Sequence, residues 1–331
     1  MTVAELSYPP LGARTKRHLI AIGDLDRAGI LRILETAQSF ESVQEREVKK
    51  VPTLRGRTVL NVFFESSTRT SSSFELAAKR LSADTMSLKA SGSSVDKGES
   101  LKDTIQTLSA YAPDIVVIRH AHIGAALKTT GYTAAHVVNA GDGKHQHPTQ
   151  CLLDLYTIRE ALGRLEGVQV AIVGDVLHSR VARSNIQGLA MMGADVLVVG
   201  PPTLFPRGIE EQGVRVSHDS ADIAGADVVY VLRMQHERMQ EGAGYVPSLR
   251  EYTARWGVTA DRVSPNQIVM HPGPMNRGVE IAGDVADSSR SLILRQVEAG
   301  LVVRMAVLYD LVTRPHAPVT EPVAAAQAVA R

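Results

Sequence analysis

Residues suited to binding an anion stand between an apolar run and an amphipathic run in the first quarter of the chain. Residues 59–64 have the length and composition of a buried strand, and a helical pattern begins near Phe74. The polar residues between them include Ser67, Thr68, Arg69 and Thr70. Backbone N–H groups at a helix start, together with hydroxyl and guanidinium donors, suit a phosphate or a similar anion. The same residue types are also ordinary helix caps, so the spacing alone leaves that alternative open.

The helix after this turn is predicted from its apolar face. Phe74, Ala77, Ala78 and Leu81 follow the i, i+3, i+4, i+7 spacing of one buried side. Ser72 and Glu75 have the spacing of a capping box. The pattern therefore predicts a helix that is capped at Ser72 and begins near Phe74.

Further polar residues follow other apolar runs along the chain. They are Arg119 with His120, His147 with Gln150, Arg180, Arg233 with Gln235, and the turn at residues 272–274. Near-continuous apolar strands alternating with helices indicate parallel sheets covered on both faces, and ligands of such sheets bind beyond the carboxyl ends of the strands. We therefore predict an α/β fold of two doubly wound domains, each a parallel sheet flanked by helices, with the active site in the cleft between them.

Length and composition narrow the class of protein. The chain has 331 residues, of which 44% are hydrophobic, which suits two domains. Its net charge of +1 gives no basic surface for nucleic acid. One cysteine, Cys151, excludes an internal disulfide, and no apolar run is long enough to span a membrane. Since the first residues also lack the pattern of a signal peptide, we expect a cytoplasmic enzyme.

Two other ligand classes are weighed and disfavoured. His145, His147 and Cys151 are zinc-ligating types, but their spacing matches no closed zinc site, so no metal is expected. Gly174 follows an apolar strand, but a dinucleotide-binding turn needs three glycines. Arg119 as a helix cap, and Arg233 with Gln235 as a solvated strand end, remain open alternatives to binding.

Seven motifs in order resemble the aspartate/ornithine carbamoyltransferase family. They are FFESSTRT, S-x-x-x-K-G-E at residues 93–99, IRH, QHPTQ, VGD followed by an arginine, LRMQ and HPGP. The match runs from about residue 17 to residue 313. Within the family the motifs favour aspartate as acceptor, because Arg233-Met234-Gln235 stands where aspartate's side chain is held, and the ornithine enzyme's Ser-Met-Gly loop does not occur. Gly273 departs from members with leucine there, a change that backbone carbonyls should tolerate.

The resemblance implies a reaction and a role for each matched residue. The carbamoyl group of carbamoyl phosphate would pass to the α-amine of L-aspartate, a step of pyrimidine biosynthesis that needs no cofactor. Ser67, Thr68, Arg69 and Thr70 would bind the phosphate. Arg119, His147 and Thr70 would donate to the carbamoyl oxygen, and Gln150 with the Pro272 carbonyl would hold the carbamoyl NH₂. Arg180, Arg233 and Gln235 would bind aspartate.

The resemblance also implies domains and partners. Residues 17–149 would bind carbamoyl phosphate, residues 150–297 would bind aspartate, and a helix at about 298–313 would pack back on the first domain. Residues 1–16 and 314–331 are expected to be mobile ends. Ser93 and Lys97 match a loop that enters a neighbouring subunit's site, with Lys97 also reaching aspartate, which implies a homotrimer with shared sites. A larger assembly with regulatory or dihydroorotase-type chains is compatible with this.

Two competing hypotheses remain at this point. One is an anion-binding regulatory or scaffold protein that keeps the fold without catalysis. The other is a carbamoyltransferase that uses a different amino acid. Turnover with carbamoyl phosphate separates the first from an enzyme, and the choice of acceptor decides the second.

Overall fold

Two parallel sheets flanked by helices make up the protein, as the computed structural model describes it for residues 17–89, 98–235, 245–246 and 248–314. This confirms the predicted α/β class. The first sheet has four strands and the second has five, and every strand pair in both is parallel.

The first sheet has the strand order β2-β1-β3-β4. Its strands are β1 (Thr58–Phe63), β2 (Asp84–Lys89), β3 (Ile115–His120) and β4 (His136–Asp142). Alternate residues of β3 enter two different apolar clusters, with Val117 in one and Val116 in the other. Because successive side chains of a strand point to opposite faces, an unbroken apolar run such as this one has both faces buried.

The second sheet has the order β7-β6-β5-β8-β9. Its strands are β5 (Gln169–Val173), β6 (Asp195–Val199), β7 (Arg215–Ser217), β8 (Val228–Val231) and β9 (Ile268–Met270). The central strand β5 divides its residues in the same way, with Ile172 in the cluster shared with the first sheet and Ala171 in a separate cluster. One apolar cluster thus runs from one face of the first sheet to one face of the second.

The helices cover both sheets. They are α1 (Arg27–Gln44), α2 (Thr68–Arg80), α3 (Leu101–Ser109), α4 (Ala125–Thr129), α5 (Pro148–Leu162), α6 (Arg180–Met191), α7 (Leu249–Trp256), α8 (Gly283–Ala286) and α9 (Ile293–Thr313). α9 packs against α1, α2 and α5. Asp310 near its end pairs with Arg17 at 2.7 Å and with Arg32 at 3.3 Å. Among the residues described, no helix combines the length and the apolar character needed to cross a bilayer.

The start of α2 differs from the prediction. The helix begins at Thr68, and its cap is Ser67, whose side chain accepts from the backbone N–H of Thr70 at 3.4 Å; a cap at Ser72 is therefore wrong. The apolar face reaches back one turn from Phe74 to Thr70, which is buried. The Ser71 hydroxyl donates to the Ser67 carbonyl at 2.6 Å, which accommodates it inside the helix. Thr68, Arg69 and Thr70 therefore form the first turn of the helix itself.

Candidate active site

One cavity of about 640 Å³ brings together the candidate residues that the structure describes. Its lining includes Ser67, Thr68, Arg69, Thr70, Arg119, His147, Gln150, Arg180, Arg233, Gln235 and Pro272. These residues come from both halves of the chain. Ser93 and Lys97, which were predicted to enter a neighbouring subunit's site, lie outside the described residues.

Topology explains why these distant residues meet. The strand order reverses between β1 and β3 in the first sheet and between β5 and β8 in the second. Arg69 follows β1, Arg119 lies near the end of β3, Arg180 follows β5 and Arg233 follows β8. Loops from strands on either side of such a reversal run in opposite directions and leave a crevice between them. The two crevices supply the four arginines to one cavity.

Arg69 lies in the first turn of α2, against the turn that follows β9. Its partial burial lowers the pKa of the guanidinium below its ordinary value, although the group stays charged. Gly273 has a φ of 62°, and a β-carbon there would require the Arg69 guanidinium to move. The positive φ favours glycine at this position, where the backbone approaches Arg69 closely.

Glu65 joins two of the cavity arginines. Its Oε1 accepts from Arg119 Nη2 at 2.7 Å and from Arg180 Nη2 at 2.6 Å, and its Oε2 accepts from Arg180 Nη1 at 3.1 Å. Arg180 also donates to the Gly143 carbonyl at 3.2 Å. Glu65 thus links the first sheet to the start of α6 and orients two guanidinium groups.

His147 and Gln150 stand at the start of α5. His147 is the residue before the helix, Pro148 is the first residue in it, and proline is tolerated there because its missing N–H would be unpaired anyway. The His147 backbone N–H donates to the Ser184 hydroxyl at 2.8 Å, and this hydroxyl donates to Gln146 Oε1 at 2.6 Å. These bonds anchor the start of α5 to α6.

Arg233 and Gln235 follow β8 beside a buried pair. Asp175 and His178 are both wholly buried, and His178 Nδ1 lies 2.9 Å from Asp175 Oδ1. The other oxygen, Asp175 Oδ2, accepts from the Gln235 backbone N–H at 3.4 Å. The segment after β8 is therefore tied to the segment after β5, as expected for neighbouring strands in a parallel sheet.

His271 shapes the turn after β9. Its Nδ1 accepts from the Gly273 backbone N–H at 2.8 Å, so a neutral ring carries its proton on Nε2, which lies 3.4 Å from Glu280 Oε1. Burial lowers the pKa of His271, and the charges of Arg69 and Arg233 lower it further, against the opposing effect of Glu280. His271 is therefore neutral near pH 7 and acts as a structural element of the turn.

Several lining residues were missed from the sequence. Glu65 stands two residues after β1 and was open to the same strand-end reasoning as Arg119. Arg304 and Gln296 come from α9, far along the chain, and no local pattern marks them. Arg304 is buried over the Phe74 ring, its Nη1 donates to the Ser73 hydroxyl at 2.8 Å, and burial lowers its pKa to about 10. The described residues offer it no carboxylate within ion-pair distance.

The charge of the lining defines the ligand class. Among the described residues it contains five arginines, namely Arg69, Arg119, Arg180, Arg233 and Arg304, against one carboxylate, that of Glu65. Such a cavity suits a ligand or a pair of ligands with several negative charges. Within the described part of the chain, no group of three or more histidine, cysteine, aspartate or glutamate side chains is placed to hold a metal ion.

Two models of known protein families together match nearly the whole described chain. Residues 17–160 match the aspartate/ornithine carbamoyltransferase carbamoyl-P binding domain, and residues 166–311 match the Asp/Orn binding domain of the same family. The chain is 56% identical over 304 residues to the aspartate carbamoyltransferase catalytic subunit of Frankia casuarinae, covering 91% of this chain and 95% of that one. It is 55% identical to the same subunit of Acidothermus cellulolyticus, covering 89% and 92%.

Solved structures show the same fold. Aspartate transcarbamoylase from Trypanosoma cruzi, in complex with carbamoyl phosphate and aspartate, is similar with a TM-score of 0.81 and 31% identity, covering 92% of this chain and 99% of that one. The catalytic subunit of M. Jannaschii aspartate transcarbamoylase is similar with a TM-score of 0.79 and 36% identity, covering 89% and 97%.

Proposed function

The chain belongs to the aspartate/ornithine carbamoyltransferase family, and we infer that it transfers the carbamoyl group of carbamoyl phosphate to the α-amine of L-aspartate. The products are N-carbamoyl-L-aspartate and phosphate, as in pyrimidine biosynthesis. The observation that carries this function is the cavity in which five arginines from both sheets and from α9 converge. Two anionic substrates must be held together there, and the arginines offset their repulsion.

The residues matched to the family each have a proposed role in this reaction. Ser67, Thr68, Arg69 and Thr70 bind the phosphate through the first turn of α2, where backbone N–H groups favour an anion. Arg119, His147 and Thr70 donate to the carbamoyl oxygen. Gln150 and the Pro272 carbonyl accept from the carbamoyl NH₂. Arg180, Arg233 and Gln235 bind aspartate, and Lys97 reaches it from the neighbouring subunit.

The proposed chemistry needs only positioned donors. The amine nitrogen of aspartate bonds to the carbonyl carbon, the bond from that carbon to the phosphate oxygen breaks, and the proton that the amine loses is taken up by the leaving phosphate. Negative charge grows on the carbonyl oxygen and on the leaving phosphate, where fixed donors stabilise it. No covalent intermediate with the protein is required.

An acceptor assay tests the function. Purified protein is given carbamoyl phosphate with either aspartate or ornithine, and phosphate release is followed against a blank without acceptor. We expect release above the blank with aspartate only, since the arginines of the cavity repel a cationic side chain. Turnover with ornithine alone would assign another acceptor, and ligand binding without turnover would favour a scaffold protein.

The proposed domains follow the two sheets. Residues 17–149 would form the carbamoyl-phosphate domain and residues 150–297 the aspartate domain, with the helix at about 298–313 returning to the first. The boundary falls in the first turn of α5, which contacts β4 on one side and α6 on the other. The packing of α9 against α1 and α2 supports the return of the last helix.

A homotrimer with shared sites is proposed from the loop that carries Ser93 and Lys97. Chains with Arg69→Ala and chains with Lys97→Ala are each expected to be inactive. If each site takes Arg69 from one chain and Lys97 from its neighbour, random reassociation of equal amounts restores both residues in about a quarter of the sites. We therefore expect roughly a quarter of wild-type activity after the two variants are dissociated and mixed.

A second mixture provides the control for this experiment. Arg69→Ala mixed with His147→Ala should regain no activity, because Arg69 and His147 line the same cavity of one chain. Absence of recovery in the first mixture would mean that each chain completes its own site. Molecular mass in solution distinguishes a trimer from a larger assembly.

A cytoplasmic location is proposed as well. The one cysteine, Cys151, is buried and unpaired by any disulfide, which is in keeping with a reducing compartment.

A further inference from the structure

A buried carboxylate lies one helical turn after Gln150. Asp154, on α5, is 2% exposed. Its Oδ1 accepts from Gln150 Nε2 at 3.0 Å and from Gln296 Nε2 at 2.7 Å. Its Oδ2 accepts from Asn185 Nδ2 at 2.9 Å and from Tyr230 Oη at 2.6 Å. Burial raises the pKa of Asp154 to about 6 against the effect of these four donors, so the group is ionised at neutral pH and acts only as an acceptor.

This carboxylate determines which end of the Gln150 amide enters the cavity. An ionised carboxylate can accept a hydrogen bond only from the amide nitrogen of Gln150. The nitrogen is therefore held on the Asp154 side, and the amide oxygen is left for the cavity that Gln150 lines. An oxygen at this position accepts from a ligand NH₂, whereas a reversed amide would set two NH₂ groups against each other.

The same oxygen of Asp154 also controls the turn after β9. The amide nitrogen of Gln296 donates to Asp154 Oδ1, so the amide oxygen of Gln296 points away from Asp154. This amide oxygen accepts from the His271 backbone N–H at 2.9 Å. His271 in turn accepts from the Gly273 backbone N–H at 2.8 Å. Pro272 lies between these two tied residues. The position of its carbonyl therefore depends on a chain of hydrogen bonds that ends at Asp154.

The other two donors come from different elements. Tyr230 belongs to β8 and Asn185 to α6, and both bind Oδ2. Both hold the carboxylate in place, and Tyr230 is also within hydrogen-bonding reach of the Gln150 side chain. Oδ1 of Asp154 therefore accepts from the two glutamines, and Oδ2 accepts from α6 and β8.

We propose that Asp154 is a positioning residue that sets the preference of this site for a carbamoyl NH₂, by orienting both the Gln150 amide oxygen and the Pro272 carbonyl. The proposal rests on the roles of Gln150 and Pro272 in the proposed function. Without Asp154, the Gln150 amide is free to reverse and the turn loses its tie through Gln296. The site then keeps its phosphate-binding residues but loses its ability to distinguish an amide from an isosteric methyl ketone.

Two stable ligands measure this preference directly. Phosphonoacetamide carries the NH₂ group, and 2-oxopropylphosphonate has a methyl group in its place. Their dissociation constants are measured by calorimetry at pH 8, above the raised pKa of Asp154. The Gln150 amide oxygen and the Pro272 carbonyl are two acceptors of ordinary strength for the ligand NH₂. They should make the wild-type protein bind the amide roughly 10- to 100-fold more tightly than the methyl ketone. In Asp154→Ala we expect the ratio to fall to within about threefold, with the ketone bound nearly as in wild type.

Asn185→Ala is the matched control, because it removes one donor from Oδ2 of the same buried carboxylate and leaves both glutamines and Tyr230 in place. Its stability should fall while its ligand ratio stays near that of wild type. If Asp154→Ala does not fold, Gln296→Ala removes the tie to His271 and one donor to Asp154, while the bond from Gln150 to Asp154 remains. The ratio should then fall roughly 3- to 10-fold.

The possible results distinguish a failure of the Asp154 proposal from a failure of the proposed roles of Gln150 and Pro272. Equal weakening of both ligands in Asp154→Ala or Gln296→Ala, or an unchanged ratio, would overturn the positioning role while leaving the proposed function standing. A wild-type protein with no preference for the amide would instead remove the proposed roles of Gln150 and Pro272, and the role of Asp154 with them.

Discussion

Arg69→Ala should lower kcat by at least about 10²- to 10³-fold, the loss typical of one oxyanion donor, while the fold stays intact. Arg69 lies in the first turn of α2, where we propose that the positive end of the helix and the guanidinium act on the same anion. The departing phosphate gains charge as its bond to carbon breaks, so Arg69 contributes more to the transition state than to substrate binding. Steady-state kinetics with saturating substrates measures the effect on kcat.

Arg80→Ala provides the comparison on the same helix. Arg80 lies at the other end of α2, donates to the Lys49 carbonyl at 2.8 Å, and does not line the cavity. Its loss should leave kcat within about twofold of wild type, as for a surface substitution. Near wild-type kcat in a folded Arg69→Ala protein would contradict the role of Arg69 in the reaction.

Arg233→Ala should raise the KM for aspartate by roughly 10²-fold and change the KM for carbamoyl phosphate by less than about threefold. A bidentate arginine–carboxylate contact contributes two charge-assisted hydrogen bonds, each worth more than a neutral one. Arg233 follows β8 of the second sheet, while the predicted phosphate residues follow β1 of the first. The effect should therefore fall on one substrate, which is tested by varying each substrate with the other saturating.

Arg255→Ala is the control for this variant. Arg255 lies on α7, is mostly exposed, and pairs with Glu251 at 3.3 Å. Its removal should change neither KM, because an exposed ion pair contributes little and the residue lies outside the cavity lining. Equal increases in both KM values for Arg233→Ala would contradict the division of the two substrates between the two sheets.

Much of the candidate site was predicted from residues that stand at the ends of predicted strands. Arg119, Arg180 and Arg233 each lie at or just after a strand, and the structure brings all three into one cavity. This inference works because parallel strands all present their carboxyl ends at one edge, so a residue's place after a strand predicts its place in space. It identified candidate residues without any knowledge of how the two sheets are arranged.

The boundary of α2 shows where local pattern failed. The Ser72–Glu75 spacing suggested a cap, but the helix begins at Thr68 because Ser67 already pairs with the Thr70 N–H. A run of hydroxyl residues offers several caps of similar strength, and local spacing cannot choose among them. The buried side of the helix, including Thr70, decides the choice.

By itself the sequence determined the α/β class, through apolar runs of strand length that alternate with helical patterns, and the acceptor class, through the order of its motifs. Only the tertiary structure revealed that Glu65 holds Arg119 and Arg180, and that Arg304 reaches the cavity from α9. It also revealed the hydrogen bonds by which Asp154 orients Gln150 and, through Gln296, the turn at His271. The physical reason is the distance along the chain over which each kind of interaction acts. Hydrophobic periodicity is a local property of the chain, whereas the pairing of buried charges and amides depends on which distant elements pack together.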